Sequence, residues 1–221
     1  MQKLAHGIHR FRSDYFAKNK KLFEKLATDG QRPETLFITC SDSRIVPNLI
    51  TSSGPGDLFI VRNVGNIIPS VERGVIGGVA AAIEYAVEIL NVQAIVVCGH
   101  TGCGAIDAIL HPERAEHLKF VSRWLREASR IPEILAERYA DLDPEQRLTA
   151  AVEENVLFQL ENLRTYDFIA RRLDAGQLAL SGWVYQIATG RIFDYDPDSE
   201  EFLLLGTKGD RSPLSSRPPP R

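Results

Sequence analysis

The chain has 221 residues, of which 44% are hydrophobic and 25% are charged, and its formal net charge is −3. This length suits one α/β domain, and so small a net charge gives no electrostatic reason to bind nucleic acid or a membrane surface. No apolar run approaches the roughly 20 residues of a membrane helix, and the N-terminus lacks the apolar segment of a secretory signal. We therefore expect a cytoplasmic protein without nucleic-acid or membrane partners.

The first predicted element is an N-terminal helical arm over residues 1–30. Apolar residues recur there at steps of three and four, which is typical of one helix face: Leu4, Ile8, Phe11 and Tyr15. Gly30 and Pro33 then interrupt the pattern.

Three short apolar runs follow the arm and are predicted to be strands. They are "TLFITC" at 35–40, "LFIVRN" at 58–63 and "VQAIVVCGH" at 92–100. A helix is predicted before the third run, from about Val71 to Leu90. Because the runs are continuously apolar rather than alternating, they indicate a parallel sheet covered on both faces.

The second half of the chain reads as helices followed by a hairpin. The stretch from Pro112 to about Asp174 is charged and helical in pattern, and two alternating runs around Thr189–Gly190 predict an antiparallel hairpin. The predicted fold class is α/β: a central, mostly parallel β-sheet flanked by helices, with the N-terminal helical arm and a C-terminal antiparallel hairpin. Residues 1–205 would form one domain, and the Gly/Ser/Pro-rich residues 206–221 a flexible tail.

Two of the predicted strands end in side chains that bind metals. Cys40 ends the first, and His100 and Cys103 follow the third in "CGHTGCG". Sites in open parallel sheets form beyond the carboxyl ends of the strands, so these three residues can meet. Three protein ligands with one open position is the arrangement of catalytic zinc, whereas structural zinc has four. Cys98 lies within its strand and is interpreted as a small buried hydrophobe.

Asp42 and Arg44 follow Cys40 on alternate positions of "CSDSR", which places all three on one side of an extended segment. A carboxylate beside the ion can accept a hydrogen bond from the ion's hydroxide and leave an oxygen lone pair free for attack. Arg44 can hold that carboxylate in bidentate geometry and keep it off the metal. An ordinary surface ion pair and a purely structural zinc site are the alternatives.

These motifs resemble those of the β-class carbonic anhydrases, in particular bacterial cyanate-associated and cyanobacterial carboxysomal forms. "CSDSR", "GDLFIVRNVGN", "AAIEYAV", "HTGC" and "ENVLFQLENL" carry the likeness, from about residue 3 to about residue 205. The resemblance implies one Zn²⁺ per subunit on Cys40, His100 and Cys103, with Asp42 and Arg44 as the catalytic dyad. The implied reaction is the reversible hydration of carbon dioxide to bicarbonate and a proton, by attack of zinc-bound hydroxide oriented by the dyad.

The resemblance also implies a substrate pocket at the interface of a homodimer, which assembles further into a tetramer or higher oligomer. The implied pocket residues are Gln31, Phe59, Val64, Tyr85 and Gly104. One subtype of the family closes its site when the aspartate moves onto the zinc, and it has a regulatory pocket of Trp, Arg and Tyr. Arg62 and Tyr185 match that pocket, but Phe37 stands at the Trp position. We therefore expect Asp42 to stay paired with Arg44 and to bind metal only in a closed, inactive state.

Two rival functions stay open at the level of sequence. One is hydrolysis of carbonyl sulfide or another carbon dioxide analogue on the same zinc site. The other is a non-catalytic zinc protein, either an interaction module or a bicarbonate sensor, in which a fourth protein ligand closes the site. Carboxysomal relatives carry a longer C-terminal extension, so the short tail does not favour a carboxysomal location.

Overall fold

The computed structural model describes residues 1–71, 77–206 and 212–214. It divides into two compact units, Met1–Arg32 and Pro33–Arg221. Most of the predicted tail, 206–221, lies outside the described residues, and the single domain over 1–205 stays a prediction. No helix in the described part of the chain is long and apolar enough to span a membrane.

The first unit is helical, as its three- and four-residue spacing predicts. It consists of α1 (Gln2–Arg10), a π-helical turn (Phe11–Phe16) and α2 (Lys20–Asp29). Aromatic rings contact one another within it, the closest pair being Phe16 and Phe23 with centroids 5.1 Å apart. Several of its apolar side chains are nevertheless exposed: Leu4, Ile8, Phe11, Tyr15 and Leu22.

The second unit is built on a six-stranded sheet in the order β2-β1-β3-β4-β5-β6. The strands are β1 (Thr35–Cys40), β2 (Leu58–Asn63), β3 (Ala94–His100), β4 (Ala179–Gln186), β5 (Arg191–Asp196) and β6 (Glu201–Leu204). The first four in this order pair in parallel, and β5 joins β4 and β6 in antiparallel pairs. The mostly parallel sheet and the C-terminal hairpin are thus confirmed, while β6 is an addition that the sequence did not predict.

Seven α-helices of the second unit lie in the described residues. They are α3 (Pro47–Ile50), α4 (Gly78–Glu84), α5 (Gly104–Leu110), α6 (Lys119–Leu125), α7 (Ile131–Arg138), α8 (Pro144–Arg164) and α9 (Asp167–Asp174). The helix predicted from Val71 begins instead at Gly78, because Gly77 before it is extended. Residues 72–76 of that prediction lie outside the described part. A π-helical turn, Tyr85–Ile89, continues α4.

Helix α8 lies close against the middle of the sheet. Its start is fixed by a capping box in which the Asp143 side chain accepts hydrogen bonds from two backbone N–H groups. Two glycines of the sheet then make room for Val156 of the helix. A Cβ atom at Gly99 would lie 2.8 Å from Val156 Cγ2, and one at Gly182 would lie 2.9 Å from Val156 Cγ1. Only glycine therefore allows α8 this close to β3 and β4.

The two faces of the sheet bury different clusters. Leu36, Ile38 and Cys40 of β1 belong to the main core. The intervening Phe37 belongs to a smaller cluster on the other face, together with Val96 and Cys98 of β3. Since side chains alternate along a strand, Cys40 and Cys98 face opposite sides of the sheet.

Candidate metal centre

The three predicted ligands meet at the carboxyl end of the parallel strands. Cys40 is the last residue of β1 and His100 is the last of β3, its neighbour in the sheet. Cys103 directly precedes α5 after a turn in which Gly102 has a φ of +65°, a left-handed conformation that favours glycine. The ligand atoms of the three residues lie within 4.8 Å of one another, and all three residues are buried.

The spacing of these atoms fits a zinc ion. The sulfur atoms of Cys40 and Cys103 are 3.9 Å apart, and a tetrahedral ion with Zn–S bonds of about 2.3 Å places its sulfurs about 3.8 Å apart. His100 Nδ1 lies 3.1 Å from the carbonyl oxygen of Thr101, which can only accept, so Nδ1 carries the proton. Its Nε2 is buried with no hydrogen-bond partner among the described residues. A buried nitrogen within 4.8 Å of two sulfur atoms suits a metal, and a backbone carbonyl is a usual second partner of a metal-binding histidine.

The two thiols act as a pair. A hydrogen bond from the Cys103 thiol, above all, lowers the pKa of Cys40, and the same hydrogen bond raises the pKa of Cys103. The two sulfur atoms are therefore close enough to share a hydrogen bond. Since the thiolate is the form that binds metal, a zinc ion would displace the proton of this hydrogen bond. Burial instead raises the pKa of Cys98 to about 12, so Cys98 stays a thiol.

Asp42 and Arg44 form a bidentate ion pair beside the ligands. Arg44 Nε donates to Asp42 Oδ1 at 2.9 Å, one terminal nitrogen donates to Oδ2 at 2.7 Å, and the Arg44 backbone N–H donates to Oδ1 at 2.9 Å. These hydrogen bonds hold the pKa of Asp42 well below its usual range. Asp42 Oδ2 also lies 3.8 Å from His100 Nε2. An ionised carboxylate therefore borders the candidate metal ligands.

Arg62 supports the backbone of the same segment. Its Nε donates to the carbonyl oxygen of Cys40 at 3.1 Å, and a terminal nitrogen donates to that of Asp42 at 2.7 Å. The sequence linked Arg62 only with a regulatory pocket. In the structure this side chain fixes the main chain that carries both the candidate ligand Cys40 and the carboxylate of Asp42.

The five residues of the predicted substrate pocket all lie in the described part of the chain. The rings of Phe59 and Tyr85 lie 6.0 Å apart, and Val64 and Tyr85 are 43% and 44% exposed. Gly104 begins α5 with no heavy atom within 4 Å of where a Cβ would stand. Gln31 belongs to the first unit and is exposed. The pocket role of these five residues stays a prediction.

One contact of the site was missed by the sequence interpretation. The backbone N–H of Gly65 donates to Cys40 Sγ at 3.4 Å. Gly65 and Asn66 both have a positive φ, +82° and +47°. A Gly-Asn pair after a strand is a signal for such a left-handed turn, but it does not indicate that the turn faces a sulfur atom.

Known proteins resemble this chain in both sequence and fold. The family model described as carbonic anhydrase matches residues 35–192. The structure of the β-carbonic anhydrase CcaA superposes with a TM-score of 0.89 at 44% identity, covering 92% of this chain and 98% of that chain. This chain belongs to the β-class carbonic anhydrases.

Other carbonic anhydrases agree with this assignment. The Pseudomonas aeruginosa carbonic anhydrase is 45% identical over 207 residues, which span 93% of this chain and 92% of the relative. A structure from a study of two tetrameric β-carbonic anhydrases of Sordaria macrospora has a TM-score of 0.76 at 30% identity, covering 87% of this chain and 95% of that chain. The protein is thus an enzyme, a carbonic anhydrase, whose candidate metal centre is the Cys40–His100–Cys103 group.

Proposed function

We propose that this carbonic anhydrase hydrates carbon dioxide reversibly to bicarbonate and a proton, with one zinc ion per subunit on Cys40, His100 and Cys103. The observation that carries the proposal is the convergence, within 4.8 Å, of two sulfurs and an imidazole nitrogen that has no hydrogen-bond partner among the described residues. The ionised Asp42 beside them adds to it. A zinc ion bound there would make a nucleophile from water at neutral pH.

The proposed role of Asp42 is to orient the attacking water molecule. A carboxylate oxygen has two lone-pair sites. Oδ1 accepts two hydrogen bonds from Arg44, whereas Oδ2 accepts one among the described residues. The remaining site is therefore on Oδ2, the oxygen next to His100. Because an ionised carboxylate only accepts, it takes a hydrogen bond from the nucleophile and leaves the nucleophile's lone pair directed at the substrate.

Arg44 has the role of restraining Asp42. Two side-chain donors in a rigid fork hold the carboxylate plane, and the same guanidinium reaches the carbonyl oxygen of Gly102 at 3.2 Å. Arg44 thus links the Cys40 segment to the turn before Cys103. We propose that the enzyme rests open in this way. A crystal structure near neutral pH with Asp42 as a fourth zinc ligand would contradict this resting state.

The proposed substrate pocket forms in a homodimer. Phe59, Val64 and Tyr85 would give an apolar slot for a small linear molecule, and Gln31 with the Gly104 N–H would donate to the oxygen atoms of the forming bicarbonate. The exposure of Val64 and Tyr85 leaves room for a partner subunit. The tetrameric relatives from Sordaria support further assembly of the dimers. Light scattering should give a multiple of the 24.7 kDa chain mass, and a mass of one chain would contradict the dimer.

Stopped-flow measurement of carbon dioxide hydration, with zinc content determined on the same sample, tests the proposed function. We expect one zinc per chain, loss of hydration when a chelator removes the zinc, and recovery when zinc is restored. Carbonyl sulfide hydrolysis on the same preparation is the comparison reaction. A zinc-loaded protein without hydration, or a metal-free protein with full hydration, would contradict the proposal.

A further inference from the structure

Side chains of the second unit hold the loop of residues 64–69 by its backbone. Four of its carbonyl oxygens accept hydrogen bonds from side chains, at distances between 2.7 and 3.1 Å. Trp124 donates to Val64, Asn155 to Gly65, Asn162 to Ile68 and Tyr166 to Pro69. The N–H of Ile68 donates to Gln159 at 2.7 Å. So many side-chain bonds to one short loop fix its backbone closely.

Three of these side chains form a continuous row on α8, which we call the carboxamide ladder: Asn155, Gln159 and Asn162. They are spaced by four and three residues, so they share one helix face. Gln159 Nε2 donates to Asn155 Oδ1 at 2.9 Å, and Asn162 Nδ2 donates to Gln159 Oε1 at 3.2 Å. All three are buried. A buried polar network that is satisfied in this way specifies a single geometry.

A single residue, Gly65, connects the ladder by hydrogen bonds with Cys40, a proposed metal ligand. Asn155 Nδ2 donates to the carbonyl oxygen of Gly65 at 3.1 Å, and the N–H of the same Gly65 donates to Cys40 Sγ at 3.4 Å. A Cβ at Gly65 would lie 3.1 Å from the Cβ of Ala105, so this segment also packs tightly. Any shift of the Gly65 backbone therefore changes the hydrogen bond to the sulfur.

We infer that the carboxamide ladder is a positioning device for the Cys40 ligand. Asn155 fixes Gly65 so that its N–H stays on the Cys40 sulfur, and this hydrogen bond sets how firmly the sulfur is held for the metal. Asn155 touches neither metal nor substrate, so it is a positioning residue. The inference rests on the zinc site proposed above. Loss of such an outer partner typically lowers metal affinity or activity by about 10- to 100-fold.

The test compares two variants that each lose one buried hydrogen bond to the same loop. Asn155→Leu removes the donor to Gly65, and Tyr166→Phe removes the donor to Pro69 at the far end. Both are measured for zinc affinity by chelator competition, for the sulfur-to-cobalt charge-transfer band of the cobalt(II) protein, and for thermal stability. We expect Asn155→Leu to lose zinc affinity by about 10- to 100-fold and to shift the band. Tyr166→Phe should lower only the stability.

Gln159→Met is the second variant, for the case that Asn155→Leu does not fold. The thioether keeps the length of the side chain but removes the donor to Asn155 Oδ1 and the acceptor for the Ile68 N–H. Because Asn155 keeps its own donor to Gly65, we expect a smaller change of affinity and band. The inference is overturned if the folded ladder variants keep the wild-type band and affinity, or if Tyr166→Phe changes both equally. Wild-type protein that binds no zinc would overturn the metal site itself, which is a separate result.

Discussion

Cys40 and Cys98 lie on neighbouring strands, are both buried, and have opposite chemistry. Cys40 shares a hydrogen bond with the Cys103 thiol and accepts one from the Gly65 N–H, and its pKa is lowered. Cys98 faces the small cluster on the other side of the sheet, and burial raises its pKa to about 12. Burial by itself thus makes a cysteine inert. The donors and the second thiol around Cys40 make it suitable as a ligand.

The largest expected effect separates these two cysteines directly. Cys40→Ala should lose nearly all zinc and all carbon dioxide hydration, because a zinc site with two remaining protein ligands binds weakly. Cys98→Ala, the matched control, should keep one zinc per chain and wild-type turnover. Zinc analysis and stopped-flow hydration on both variants check this. Loss of zinc from Cys98→Ala at unchanged stability would contradict the different roles assigned to Cys40 and Cys98.

Asp42→Asn should show the next largest effect. The amide keeps the size of the side chain but is uncharged and has an NH₂ donor in place of one acceptor oxygen, so turnover should fall by roughly 10²-fold or more while zinc stays bound. Asp107→Asn is the control, since Asp107 of α5 also forms an ion pair, with Arg114, and this variant should keep its turnover. Normal hydration by Asp42→Asn would refute the role of the dyad.

Gly99→Ala tests the packing on the Cys40 side of the sheet. The added methyl would overlap Val156 Cγ2 at 2.8 Å, and overpacking of this kind costs about 1–3 kcal/mol of unfolding free energy. Gly78→Ala is the control, because nothing lies within 4 Å of its Cβ position. Urea denaturation of the two variants gives the difference. Equal stability would mean that α8 can move away from β3 at little cost.

The smallest effect concerns the ionisation of Asp42. Its pKa is held below the ordinary value of 3.8 by the hydrogen bonds from Arg44. The stability that this pairing contributes is therefore fully present above pH 3.8 and is lost as the pH falls further, through the folded-state pKa. A ¹³C NMR titration of the Asp42 carboxyl should be flat from pH 8 to about pH 4. A step between pH 5 and 7 would contradict the ion pair.

The strands and the meeting of the three candidate ligands could be predicted because their signals are local. The apolar runs that end at Cys40 and His100 are six and seven residues long in the structure, and a parallel sheet brings such ends together. The short β6 was missed, since four residues carry little pattern. The parallel pairing of β4 with β3 joins residues about 85 positions apart, and no local signal indicates it.

The side chains that hold the backbone around the site could not be predicted, and the reason is a different one. Asn155, Gln159 and Asn162 are polar, and periodicity assigns polar residues to solvent. They are buried because the backbone of the 64–69 loop supplies their partners. Arg62 likewise serves the main chain of Cys40 and Asp42. Contacts to distant backbone groups leave no periodic trace in a sequence.

X-ray absorption at the zinc edge of the active enzyme tests the central claim most directly. We assign Cys40 and Cys103 to the metal, whereas Cys98 lies on the other face of the sheet. The expected result is two sulfur neighbours at about 2.3 Å from zinc, unchanged in Cys98→Ala. A spectrum with one or three sulfur neighbours, or a sulfur lost in Cys98→Ala, would contradict this assignment.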